Sequence, residues 1–312
     1  MKYETEHRCA LSAAYTASRL CRDVRHNTFS RLVKSDDTPV TIADFGSQAL
    51  ICDTLARCFP QDQIVAEEES ETLRDESMHG FTQSVTAYIH RYQPGFTIDD
   101  VIDRVSLGNG TPSQRFWTVD PLDGTKGFIR GAHYSVAVAL IEEGTVMTAA
   151  LGCPTWDPLT VVSAVRGEGV FITTEEDTVR VQSADLSPFP PRKFVQSVEH
   201  ATGCSTLHRT IAGKLSITDE PVLLDSQLKY LTLARREAMV YLRIPGVTNS
   251  RYREKIWDHA AGSLILEEYG GTVTNRYGDT LDFSGRTLKP GAGICASIGI
   301  DHIDVIRAIT GS

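Results

Sequence analysis

No apolar run in the sequence approaches the ~20 residues that a membrane-spanning helix needs. The first ten residues, MKYETEHRCA, hold no apolar signal core, so export is not expected. There is no Cys-x-x-Cys pair. The seven cysteines (Cys9, Cys21, Cys52, Cys58, Cys153, Cys204 and Cys295) are odd in number and scattered. That argues against a disulfide framework or a cysteine zinc site and fits a reducing compartment, with several serving as small buried apolar residues. A basic surplus is also missing. Lys and Arg number 31 against 40 Asp and Glu, a net charge of −9, which argues against a nucleic-acid partner. It does not exclude a small anionic substrate, provided bound metal or a few local cations meet it. There is no G-x-x-x-x-G-K-[ST] phosphate loop, G-x-S-x-G elbow, H-E-x-x-H pair, internal repeat or low-complexity tract.

What is present is a chain of 312 residues, 41% hydrophobic, long enough for one large domain or two lobes sharing a core. Apolar spacing predicts helices over about Thr5–Arg25 and Ile42–Phe59, with a polar connector between them and a short strand at QIVA after Pro60. The stretch from Glu69 to about Thr111 is polar and weakly periodic, and reads as a surface excursion with one short helix. From Arg115 to about Ala184, β-branched runs broken by glycine turns predict consecutive strands. After the Pro-rich ADLSPFPPRK, short strands and helices alternate, with helices near Cys204–Ala212 and Gln227–Ala234. A last helix is expected from about Asp258 to Tyr269, closed by Gly270-Gly271, followed by strands at GTVTN and GICASIG. The expected architecture is two α/β lobes, 1–187 and 188–312.

Acidic residues stand at the ends of these elements: Asp44, the run Glu67-Glu68-Glu69, the pair Asp120 and Asp123, and Asp258. Each has a plain structural reading. Thr41-x-x-Asp44 fits a capping box, and Asp258 fits the favourable end of a helix dipole. The Asp120/Asp123 pair is harder to dismiss. It sits in WTVDPLDGTKGF, where an apolar strand delivers two carboxylates to one tight turn, which is unfavourable unless a cation offsets them. Hard divalent cations take oxygen ligands, and paired ions can flank a phosphoryl transfer. Asp120 and Asp123 have the spacing to serve two such ions, and the Leu122 carbonyl can join them. The GTKG run behind offers N–H groups at a helix start to a phosphate. An EF-hand fails because Leu122 and Gly124 occupy its third and fifth positions. An aspartyl-phosphate enzyme would place its second Asp two residues on, not three.

DPLDGTKGF (120–128), with EKIWDHAAG (254–262) downstream and IVAEEES (64–70) upstream, resembles the lithium-sensitive, magnesium-dependent phosphatases of the inositol monophosphatase superfamily. TPVTIADFGSQA, SVE, LDSQLKY and VYLRIP are similar to its 3'(2'),5'-bisphosphate nucleotidase branch, and the likeness spans nearly the whole chain. The resemblance implies an α/β (α+β) fold, the layered αβαβα sandwich of the inositol monophosphatase and fructose-bisphosphatase type. It implies two or three Mg²⁺ ions held by Glu67, Asp120, the Leu122 carbonyl, Asp123 and Asp258. Asp44 and Thr125 would orient and deprotonate the attacking water, and Gly124 and Thr125 would hold the scissile phosphate. Ser226, Lys229 and Arg243 would contact the nucleotide and its second phosphate, with Lys255 in the same segment. A histidine that relatives carry after SVE is missing here, and His208 or His200 would replace it.

The implied reaction is removal of the 3'-phosphate of adenosine 3',5'-bisphosphate or its sulfated form, with inhibition by Li⁺. An inositol polyphosphate 1-phosphatase and a non-catalytic bisphosphate sensor are the alternatives. A cytosolic monomer is expected, with a small-molecule substrate and no nucleic-acid, membrane or obligatory protein partner.

Overall fold

The computed structural model describes residues 2–27, 31–33, 39–181, 190–198, 206–244 and 253–311. The N-terminal pattern forms α1 (Glu4–Asn27), which buries Ala10, Ala13, Ala17, Leu20 and Val24 as a stripe three or four residues apart. The expected polar connector contains a short antiparallel pair, β1 (Arg31–Val33) and β2 (Pro39–Thr41). Then α2 (Ile42–Cys58) begins at the expected capping box: the Ala43 N–H donates to the Thr41 hydroxyl, and the Thr41 N–H donates to Asp44 at 2.7 Å.

After β3 (Gln63–Ala66) the structure departs from the expected surface excursion. Residues 69–111 hold α3 (Glu71–Arg74), α4 (His79–Ile89) and α5 (Ile98–Ser106). A capping box of Thr97 and Asp100 starts α5, which packs Val101, Ile102 and Val105 against α2. Few apolar residues are needed because only one face of each helix is covered, so the polar composition concealed them.

β4 (Arg115–Asp123) runs into α6 (Thr125–Arg130). The strands β5 (Ser135–Glu142), β6 (Thr145–Cys153), β7 (Thr160–Val165), β8 (Gly169–Thr173) and β9 (Thr178–Arg180) then follow. With β3 they make a seven-stranded sheet in chain order, antiparallel except for the parallel β3–β4 pair.

The remaining chain forms β10 (Phe194–Gln196), α7 (Thr206–Leu215), β11 (Val222–Leu223), α8 (Leu228–Ala234), β12 (Val240–Arg243), α9 (Ala260–Glu268), β13 (Thr272–Thr274), β14 (Ile294–Ser297) and α10 (His302–Thr310). The five-stranded sheet has the order β11-β10-β12-β14-β13. The helix expected to be last, α9, is followed by α10, which Asp301 caps and which turns only Val305 and Ala308 inward.

α1 and α2 cover one face of the large sheet, α8 and α9 fill the space between the sheets, and α7 and α10 cover the far face of the small one. This is the expected αβαβα sandwich. The lobe boundary expected at 187/188 falls on residues 182–189, outside those described.

Candidate active site

The spacing of Asp120 and Asp123 is resolved by strand register. Side chains alternate along a strand, so residues three apart normally face opposite ways. Here Asp120 pairs with Ala137 but Asp123 pairs with Ser135, three steps on β4 against two on β5. The extra residue is a bulge, and it resets the alternation so that both carboxylates line one cavity. Pro121, which has no N–H to donate, sits inside the bulge, where a missing ladder bond does no harm. On the other side β3 pairs Ala66 with Val119, which brings the next residue, Glu67, level with Asp120. Gln48 on α2 fixes that strand end: it accepts from the Glu68 N–H at 2.9 Å and donates to the Glu68 carbonyl at 2.6 Å. Asp258 closes a 3-10 turn (Ile256–Asp258) that precedes α9, rather than opening the helix itself.

The acids perturb one another. Burial raises the Asp120 carboxyl well above its ordinary range, and the charges of Glu67, Asp123 and Asp258 raise it further. Burial likewise raises Asp123, while the Lys229 charge and the Gln227 N–H oppose it. Asp258 is pushed up to about 6 by burial, against the pull of His259 and Arg243. Four carboxylates and the Leu122 carbonyl form an all-oxygen donor set whose mutual repulsion a cation would relieve. That set fits Mg²⁺. Glu254, Asp258 and His259 also bring ligand atoms within 4.8 Å of one another. Glu254, however, is already engaged by Arg243 at 2.9 Å and His259 at 3.2 Å.

Behind the acids, the Thr125 hydroxyl lies 3.4 Å from Asp44 Oδ1 and 3.2 Å from the Leu122 carbonyl. The other Asp44 oxygen is taken by the Thr41 N–H and hydroxyl, both at 2.7 Å. Asp44 is therefore a capping residue and a neighbour of Thr125 at once. Gly124 holds a left-handed φ of 90°, and a Cβ there would come 3.1 Å from that of Ser226. This close approach lets the loop carrying Ser226 close over the turn.

The cavity, about 280 Å³, is lined by Glu67, Asp120, Asp123 and Asp258, by Gly124, Thr125 and Ser226, and by Lys229 and Arg243. Lys229 donates to the Ser226 carbonyl at 2.6 Å, and burial lowers its pKa to about 8. Lys255 and His208 do not line it. Lys255 is exposed over the Trp257 ring, and His208 packs its ring against Phe194. His200 and the rest of 199–205 lie outside the described residues. A larger cavity of about 510 Å³ lies behind α6. Its Arg22 and Arg25 are spent on the carbonyls of Pro154, Trp156, Ala132 and Gly131.

A model of the inositol monophosphatase family matches residues 2–309. The chain belongs to the inositol monophosphatase family. Within it, the chain is 38% identical to a 3'(2'),5'-bisphosphate nucleotidase of Schizosaccharomyces pombe, over 95% of this chain and 92% of that one. It is 36% identical to a protein of the same name from Emericella nidulans, over 99% and 98%. The fold is similar to that of the extragenic suppressor protein suhB from Bartonella henselae, with TM-score 0.65 and 20% identity over 96% and 95% of the two chains. It is similar also to CysQ from Bacteroides thetaiotaomicron, a bacterial member of the inositol monophosphatase family, with TM-score 0.61 and 19% identity over 96% and 99%.

Sequence reasoning missed several residues that build this family member's site. Gln227 donates its backbone N–H to Asp123 at 2.5 Å, and its side chain bonds the Trp257 carbonyl and the Gly262 N–H. Arg286 reaches from the C-terminal segment to the carbonyls of Ala66 and Gly110. Lys126 lines the cavity as well. For Gln227 a signal was available in the branch-like LDSQLKY. For Arg286 there was none, because its partners are backbone atoms remote in sequence.

Proposed function

We propose that the chain is a Mg²⁺-dependent phosphomonoesterase that removes the 3'-phosphate of adenosine 3',5'-bisphosphate, giving AMP and phosphate. The observation that carries this is a single cavity in which Glu67, Asp120, Asp123 and Asp258 share the wall with the cations Lys126, Lys229 and Arg243. A substrate with two phosphates fits it: one cleaved at the acids, one gripped and left intact, with Arg able to hold it bidentately. The names of the relatives support the same substrate class. Glu67, Asp120, the Leu122 carbonyl, Asp123 and Asp258 would hold two or three Mg²⁺ ions, which when bound would acidify water and offset charge on the leaving oxygen. The Thr125 hydroxyl would orient the attacking water and relay its proton to Asp44 Oδ1, 3.4 Å away. Backbone groups of Gly124 and Thr125 at the start of α6 steady the scissile phosphate.

A monomer is part of the proposal. Cytosolic residence is part of the proposal, supported by cysteines that are all thiols among the described residues. Among those residues no helix is long and apolar enough to cross a membrane.

The test is phosphate release from adenosine 3',5'-bisphosphate, inositol 1,4-bisphosphate and 5'-AMP, in Mg²⁺ with and without Li⁺. Fast, Li⁺-sensitive release from the first, with 5'-AMP untouched, is expected. Release from the inositol substrate alone would assign the chain to a different phosphatase.

A further inference from the structure

A buried polar chain runs behind Arg243, and its other members have no part in the reaction just described. It begins at Arg243 on β12, whose Nε donates to Glu254 Oε1 at 2.9 Å and lies 2.8 Å from Oε2. Glu254 is 3% exposed. Its second partner is His259 Nε2 at 3.2 Å, and His259 Nδ1 lies 2.8 Å from the Tyr230 hydroxyl. His259 and Tyr230 are both buried. Burial alone would raise the Glu254 carboxyl, but His259 and Arg243 outweigh it and hold it below its ordinary value. Glu254 is bonded by both Arg243 Nε and His259 Nε2, and the contact of His259 Nδ1 with the Tyr230 hydroxyl carries the chain on. The chain meets the cavity at both ends, through Arg243 and Tyr230.

We infer that Glu254 is a positioning residue that fixes the aim of Arg243 and thereby sets the preference for a substrate bearing a second phosphate. This rests on the functional reading above. A guanidinium presents its N–H groups as a rigid planar fork. Pinning the Nε edge on a buried carboxylate fixes the orientation of the whole plane, and with it the direction in which Arg243 presents its terminal nitrogens to an anion. Without Glu254 the guanidinium keeps its charge and loses its direction. Attraction for an anion persists while bidentate recognition fails. The Arg243–Tyr241 hydrogen bond on the same strand does not replace it, because one neutral hydroxyl cannot hold the Nε edge. Asp258 lies on the turn between Glu254 and His259, so the same chain also braces the segment bearing that carboxylate.

The experiment compares kcat/KM for adenosine 3',5'-bisphosphate with that for adenosine 3'-monophosphate, which lacks the gripped phosphate. It uses the wild type, Glu254→Gln, Arg243→Gln and the double variant. Equilibrium binding of 5'-AMP in EDTA, by calorimetry, supplies a readout independent of turnover. The bisphosphate-to-monophosphate ratio is expected to fall about tenfold or more in Glu254→Gln, through KM more than kcat, with 5'-AMP binding weakened alongside. Adding Glu254→Gln to Arg243→Gln should lower the ratio no further, since one acts through the other. A wild-type ratio well above one that persists in Glu254→Gln overturns the inference alone. So does an equal fall for both substrates, which would make Glu254 merely structural. A wild-type ratio near one overturns the functional reading and the inference together. Should Glu254→Gln fail to fold, Glu254→Asp, one methylene short of Arg243, carries the same decision, with a smaller fall expected.

Discussion

The backbone N–H of Gln227 donates to Asp123 Oδ2 at 2.5 Å, while the Gln227 side chain holds the Trp257 carbonyl and the Gly262 N–H. One residue thus ties the bulged strand of the large sheet to the turn that carries Asp258. Replacing it by Leu leaves two buried backbone groups without partners, each costing about 1–3 kcal/mol. Gln227→Leu should therefore lose roughly 2–4 kcal/mol of stability by urea denaturation. A loss below about 1 kcal/mol would mean that water replaces the amide.

The apo protein should be more stable in mild acid. Asp258 has its folded pKa raised to about 6 from 3.8, so the folded state binds more protons between those values. Its contribution is fully present below the unfolded pKa and is lost as pH rises through about 6. In EDTA the melting temperature should fall from pH 5 to pH 7, and Asp258→Asn should flatten that fall. Saturating Mg²⁺ should do the same in the wild type. An identical slope in Asp258→Asn would remove Asp258 as the cause.

Asp120→Asn should separate activity from stability. Its carboxyl is crowded by three other acids, so removing the charge should raise the apo melting temperature while turnover falls to background in Mg²⁺. A variant that kept near-wild-type turnover would exclude Asp120 from the chemistry.

Thr125 should act through its hydroxyl. Thr125→Val is expected to lower kcat by about 10²–10⁴ with KM little changed, and Thr125→Ser to restore most of it. Equal losses in Val and Ser would point to the methyl group and packing instead.

Lys229, lowered to about 8 by burial, should impose an alkaline limit on substrate capture. It grips an anion only while protonated, so kcat/KM for the bisphosphate should decline above about pH 8. Lys229→Arg should move that decline upward. A pH profile unchanged by the substitution would assign the limb to another group.

The metal-type acids were legible because their identity is concentrated in short contiguous motifs, DPLDGT and WDHAAG. The strands followed from β-branched runs between Arg115 and Ala184, and α1 and α2 from their periodicities, while the layered sandwich came from the family resemblance. What escaped was carried by residues whose meaning is purely tertiary. The α4 and α5 helices bury one narrow face each, and α10 turns only two residues inward. Glu254, Gln227 and Arg286 bond to partners that no local pattern announces. Lys255 sits in a telling segment, yet it lies on Trp257 outside the cavity.

The bulge at Pro121-Leu122 is what makes an odd spacing workable. In a regular strand the residue three on from Asp120 would face the other side of the sheet, and the one extra residue returns Asp123 to Asp120's side, opposite Ser135. A scan along the chain measures three residues between the two aspartates. The sheet measures two, and the chemistry depends on the second count.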